Sequence, residues 1–181
     1  MKILAFAASN SKQSINKQLV SFAANRLASS TSNNSVELLD INDYEIPIYS
    51  IDREQNNGIP QLAHDFLAKI KSADLVMISF AEHNGNYSAA YKNLFDWCTR
   101  AEQKIFQDTD VILMATSPGG RGGKSVLEIA SAATPRFGAN VLGSFSLPSF
   151  GNNFDADKQE ISNPELLKEL DGILKMVYEF S

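Results

Sequence analysis

Five stretches of strand length, the apolar runs Ile3–Ala8, Leu75–Ala81, Val111–Ala115 and Val141–Leu147 and the more polar Val36–Ile41, alternate along the chain with stretches of helical spacing. A strand, then a helix, then another strand requires crossover connections, and these build a mainly parallel sheet with helices on both faces. Leu75–Ala81 is almost continuously apolar, as a strand covered on both sides must be. The intervening stripes are Ile15, Leu19, Phe22, Ala23 and Leu27; Ile59, Leu62, Ala63, Phe66 and Ile70; Tyr87, Tyr91, Leu94, Phe95 and Cys98; and Val126, Ile129, Ala130, Ala133 and Phe137. A last stripe, Leu166, Leu170, Ile173, Leu174 and Val177, follows Asn163 as N-cap and Pro164 at the first helical position. The 181 residues suit one doubly wound α/β domain over residues 1–181. Two polar stretches, Asp43–Gly58 and Ser149–Ser162, are expected to be loops.

Charge narrows the partners. Sixteen Lys and Arg against twenty-one Asp and Glu leave a net charge of −5, which disfavours nucleic acid and anionic membrane surfaces. Cys98 is the single cysteine, so neither an internal disulfide nor a multi-cysteine metal site is expected. The chain contains no apolar run long enough to span a bilayer. Its opening apolar stretch, Ile3–Ala8, is shorter than a secretory core and is followed at once by Ser9-Asn10-Ser11-Lys12. It is expected to be a buried first strand of a cytoplasmic protein.

Ligands of such sheets sit beyond the carboxyl ends of the strands, which directs attention to three loops. The first, Ser9-Asn10-Ser11-Lys12-Gln13-Ser14-Ile15-Asn16, opens a helix. It offers hydroxyls, side-chain amides, a lysine and free helix-terminal N–H groups, and no acidic residue occurs before Glu37. A helix start without carboxylates is open to an outside anion such as a phosphate. An ordinary turn with Ser14 as N-cap satisfies the same residues. No G-x-G-x-x-G is present, which points to a mononucleotide.

The second loop, Ala81-Glu82-His83-Asn84-Gly85-Asn86-Tyr87, has a glycine that lets backbone turn sharply or approach a flat ring. The third, Ser117-Pro118-Gly119-Gly120-Arg121-Gly122-Gly123-Lys124-Ser125, has four glycines between Ser117 and Gly123. Gly123-Lys124-Ser125 imitates a P-loop, but Pro118 stands where that motif needs its first glycine. A glycine wall beside a flat ligand is the better reading.

In this order the three loops resemble the NADPH-dependent FMN reductase family of flavodoxin-like proteins, which includes chromate- and azo-reducing flavoenzymes. Ser9-x-Ser11-x-x-Ser14-x-Asn16 is similar to the family's G-S-x-R-x-x-S-x-N. Glu82 to Tyr87 is similar to P-E-Y-N-G-S-Y, continued by Lys92-Asn93-Leu94-Phe95-Asp96-Trp97 as K-N-x-x-D-W. Ser117 to Gly123 is similar to S-P-G-G-x-G-G. The resemblance implies a flavodoxin-like three-layer sandwich with a five-stranded parallel sheet of order 2-1-3-4-5, binding FMN. It places Ser9, Ser11, Ser14, Ile15 and Asn16 at the phosphate, and Ala81, Glu82, His83, Asn84 and Gly85 against the isoalloxazine. Ser117, Pro118, Gly119 and Gly120 border the other side of the ring. Ser11 stands where the family usually has arginine, His83 where it has tyrosine and Ala81 where it has proline.

The expected activity is hydride transfer from NADPH or NADH to bound FMN and onward to a flavin, quinone, azo or metal-oxyanion acceptor. The alternative is a flavodoxin-like electron carrier with no nicotinamide reaction of its own. No side chain is assigned a catalytic role, no metal is expected, and the family implies a homodimer or homotetramer. Cys98 and Trp97 are expected to be packing residues.

Overall fold

A computed structural model describes residues 1–31 and 33–179. The elements run β1 (Lys2–Ala8), α1 (Ile15–Ala28), β2 (Ser35–Leu39), a 3-10 turn (Ile41–Tyr44), α2 (Ile51–Asn57), α3 (Gln61–Lys71) and β3 (Leu75–Phe80). A small hairpin, β4 (Glu82–His83) and β5 (Asn86–Tyr87), precedes α4 (Ala89–Ala101), β6 (Asp110–Thr116) and α5 (Lys124–Ala133). After a second 3-10 turn (Thr134–Phe137) come β7 (Asn140–Leu147), the one-turn α6 (Phe150–Asn153), a hairpin of β8 (Phe154–Asp155) and β9 (Glu160–Ile161), and α7 (Pro164–Glu179).

The main sheet has the order β2-β1-β3-β6-β7, every pairing parallel. Counting only its own strands, this is the expected 2-1-3-4-5. Successive side chains of a strand point to opposite faces, so each strand contributes to two cores. Leu4, Phe6, Val76, Ile78, Phe80, Val111 and Leu113 pack with residues of α3, α4 and α5 such as Phe66, Ile70, Leu94, Trp97 and Val126. Ile3, Ala5, Leu75, Met77, Ile112, Met114 and Phe145 pack on the other face against Leu19 and Ala23 of α1 and Leu170 and Leu174 of α7. This double burial is why β1, β3 and β6 read as nearly unbroken apolar runs. Among the described residues no helix is long and apolar enough to cross a membrane.

The expected elements are present, with local corrections. Tyr87 lies in β5, and α4 starts two residues later behind the N-cap Ser88, whose Oγ accepts from the Tyr91 amide. The stripe ending at Phe137 is α5 plus a 3-10 turn with Pro135 near its start. The Asp43–Gly58 stretch contains α2, capped by Ser50. None of its residues is buried, so it carries no apolar stripe for periodicity to reveal. Within Ser149–Ser162 lie α6 and the β8–β9 hairpin. Asn163 caps α7 as expected, accepting from the amides of Glu165 and Leu166.

Truncating a side chain of the central strand should be costly and truncating one at the edge should not. Ile78→Ala, at a fully buried position, is expected to cost about 2–5 kcal/mol. Leu38→Ala, 47% exposed on edge strand β2, should stay within about 0.5 kcal/mol. Urea unfolding of the two variants measures the contrast.

Candidate active site at the carboxyl rim

The strands are parallel, so their carboxyl ends share one rim, and the three loops meet there. In the first, every seryl oxygen accepts from nearby backbone: Ser9 Oγ from the Ser11 amide at 3.3 Å, Ser11 Oγ from Gln13 at 3.3 Å and Ser14 Oγ from Lys17 at 3.2 Å. A hydroxyl used as an acceptor keeps its proton to donate, and the loop thus holds three hydroxyl donors. Ser14 is the N-cap of α1, whose first turn has no acidic residue. The amides of Ile15 and Asn16, in that first turn, have no helical carbonyl to bond. Asp40, at the end of β2, is tied to Lys17 in the first turn of α1 at 2.6 Å. That hydrogen bond holds the Asp40 carboxyl below its ordinary range, so it stays anionic and paired near neutrality. The stabilisation it lends is present above the ordinary carboxylate range and is lost as pH falls through the lowered value.

Asn16 has a different role from its serine neighbours. Its side chain is buried, donates Nδ2–H to the Thr116 carbonyl at 3.1 Å, and accepts on Oδ1 from the Thr116 amide at 3.0 Å and the Ser79 hydroxyl at 2.7 Å. The carboxamide is therefore a clasp joining α1 to the ends of β3 and β6. With Oδ1 and one Nδ2 proton so engaged, Asn16 brings its backbone N–H to the loop beside the serine hydroxyls. Ser88 makes a second tie, donating its hydroxyl to the Ala8 carbonyl at 2.8 Å.

The second loop is a two-residue hairpin. Asn84 (φ 52°) and Gly85 (φ 75°) are both left-handed, the geometry that an Asn-Gly turn favours between short antiparallel strands. His83 pairs with Asn86 and is exposed. Glu82, at the base, accepts on Oε2 from the Val126 amide at 3.0 Å.

The glycine loop divides into two pairs. A Cβ on Gly122 would stand 2.5 Å from Ser146 Oγ and 2.8 Å from the Pro148 nitrogen, and one on Gly123 would stand 2.9 Å from the Ala115 Cβ. These two glycines, both at positive φ, let the loop lie flat on β6 and β7. Gly119 and Gly120 are different, since a Cβ on either would meet nothing nearer than 4.0 Å. They leave an open ledge, held from below by amides of Ser149 and Phe150 donating to the carbonyls of Gly119 and Ser117.

Ser79, Thr116 and Ser88, which fasten the loops together, were not among the expected site residues. Each is a small hydroxyl residue at the end of a strand or the start of a helix, and the chain has many such residues. The Asn93 and Trp97 side chains of the K-N-x-x-D-W segment turn to the loop after β2. They donate to the carbonyls of Ile46 and Pro47 and pin the loop after β2. That loop lines a neighbouring cleft of about 250 Å³ with Asn10, Ile41, Ala89 and Asn93. Arg100 is engaged by Glu54 at 2.9 Å. Cys98 is buried, and burial pushes its thiol up to about 12, which leaves it protonated packing.

Asn16→Ala strands the buried polar groups of Thr116 and Ser79 and is expected to cost about 2–4 kcal/mol by chemical denaturation. Gly122→Ala should likewise destabilise by about 1–3 kcal/mol through overpacking, whereas Gly120→Ala should melt within about 0.5 kcal/mol of the parent. A Gly120→Ala variant that unfolds as readily as Gly122→Ala would show the ledge to be packed.

Residues 1–152 match the model of a family described as NADPH-dependent FMN reductase. An uncharacterized protein of Mycoplasma pneumoniae is 28% identical over 159 residues, covering 85% of this chain and 91% of that protein. A quinone reductase of Escherichia coli K12 is 30% identical over 146 residues, covering 75% and 73%. Among solved structures, the flavoenzyme NAD(P)H:(acceptor) oxidoreductase FerB of Paracoccus denitrificans superimposes with a TM-score of 0.73 at 21% identity, over 98% of this chain and 97% of that one. The parallel sheet, the acid-free helix start and the glycine ledge thus occur in a chain that belongs to the NADPH-dependent FMN reductase family, and it is an FMN-dependent NAD(P)H oxidoreductase.

Proposed function

We propose that the rim binds FMN between the hairpin turn and the glycine ledge, accepts hydride from NADPH or NADH, and passes the electrons to a planar small molecule of the quinone class. The observation that carries this reading is the pairing of a carboxylate-free helix start, furnished with three serine hydroxyls, with an open two-glycine ledge across the rim. The donor set suits a phosphate dianion, because it consists of O–H and N–H groups, the first turn of α1 has no acidic residue, and Asp40 is neutralised by Lys17.

When bound, FMN supplies the two-electron chemistry, and the protein supplies position and electrostatics. Ser9, Ser11 and Ser14 donate hydroxyl protons to the phosphate, joined by the amides of Ile15 and Asn16. The residues 81–85 present backbone to one border of the ring, and Ser117, Pro118, Gly119 and Gly120 present it to the other. Backbone N–H groups near Asn84 and Gly85 would donate hydrogen bonds to the ring system and so favour its taking up negative charge. Because Gly119 and Gly120 project nothing over the ledge, a nicotinamide and then an acceptor can occupy one space in turn. A quinone suits that exchange, being flat and able to take both electrons in the position the nicotinamide has left. The 30% identical quinone reductase supports the same acceptor class.

Incubation with FMN followed by removal of free flavin is expected to leave a yellow protein. Anaerobic NADPH should bleach it, and a water-soluble benzoquinone should restore the colour without delay. A protein that stays colourless overturns the site. A protein that bleaches but reoxidises with azo dye or free flavin and not with quinone overturns the acceptor. Ser14→Ala is expected to weaken FMN binding about tenfold or more, measured by fluorescence titration.

A further inference from the structure

Helix α5 lacks an N-cap of its own. Gly123 occupies that position in the left-handed conformation and has no side chain to bond the first-turn amides. It cannot become Ser, Thr, Asp or Asn without strain, because a Cβ would stand 2.9 Å from that of Ala115. The missing acceptor comes from another element: Glu82 Oε2 takes the amide proton of Val126, third residue of the helix, at 3.0 Å. A carboxylate there satisfies an orphan amide and meets the positive end of the helix dipole.

Glu82 is also the base of the β4–β5 hairpin. At the tip, a Cβ on Gly85 would lie in ordinary contact with the Cβ of Ser125, at 3.9 Å, and Arg121 donates to the Ser125 hydroxyl at 2.9 Å. Base and tip of the hairpin therefore both bear on the first turn of α5. The glycine loop that carries the ledge runs directly into that same turn.

We infer that Glu82 is a positioning residue: by capping α5 across the site it holds the Asn84–Gly85 turn in register with the Gly119–Gly120 ledge. Its charge faces the helix terminus, so a carboxylate can stand beside an electron-rich ring without opposing its reduction. Freed from the cap, the hairpin drifts, and displacements on the ångström scale at a reacting pair slow transfer severely. This inference rests on the flavin reading of the rim proposed above.

The test uses the full chain with Glu82→Ala, Glu82→Gln and Glu82→Asp. Amide hydrogen exchange at Val126 in the flavin-free protein reads the cap alone. Stopped-flow reduction of the FMN-loaded protein, with NADPH varied to saturation, separates the limiting rate from apparent nicotinamide affinity. Glu82→Ala is expected to speed Val126 exchange about fivefold or more and to lower the limiting rate about tenfold, with a smaller change in affinity. Glu82→Gln, whose carboxamide oxygen still accepts, should restore both to within about threefold of the parent. Glu82→Asp, one methylene shorter, should fall between and serves if the alanine variant does not fold. Unchanged Val126 exchange in Glu82→Ala overturns the cap. Faster exchange with a parental limiting rate overturns the positioning role. Restored exchange in Glu82→Gln with an uncorrected rate overturns it too, because the charge itself would then matter. If the parent binds no FMN, the functional reading fails, while Val126 exchange still decides the cap.

Discussion

One buried carboxamide holds the rim together. The ends of parallel strands leave backbone N–H and C=O groups that must find partners away from water. Asn16 answers both groups of Thr116 and the hydroxyl of Ser79 at once. It joins the start of the first helix to strands whose residues lie 63 and 100 positions away in sequence. A buried polar network is favourable only when complete, and among the described residues no buried side-chain nitrogen or oxygen lacks a partner. The Ser9–Asn16 loop therefore rests on a base fixed by the strands beneath it.

The electrostatics of the rim follow from how its charges are paired. The first turn of α1 has no carboxylate, and Asp40 is bound to Lys17. Glu82 is bound to the amino end of α5. Negative charge near the rim is thus matched locally, leaving unopposed the donors that an anionic cofactor needs. Preorganised donors of this kind act without reorganisation when charge develops.

The amount legible in sequence varied with the physics of each element. Strands buried on both faces announced themselves as apolar runs, and α7 announced itself through Asn163 and Pro164. Helix α2 was invisible because it buries nothing. Tyr87 misled because its apolar ring continues a helical stripe, while Asn84-Gly85 two residues earlier demands a hairpin that delays the helix to Ala89. Asn16 read as a phosphate ligand because it sits in the motif. Its engagement with Thr116 depends on a strand far along the chain.

Local chemistry alone determined the alternation of strands and helices, the acid-free start of α1, the serine donors and the glycine-rich loop. Those features act over a few residues, and neighbours in sequence are enough to reveal them. Tertiary structure decided which glycines are crowded and which are not, since a Cβ on Gly122 would collide with Ser146 and Pro148 while one on Gly119 or Gly120 would meet only a serine hydroxyl at 4.0 Å. It also decided that Glu82 caps a helix 44 residues away. Hydrogen bonds and steric contacts depend on distances in space, and only the crossover packing of the sheet brings these partners within reach.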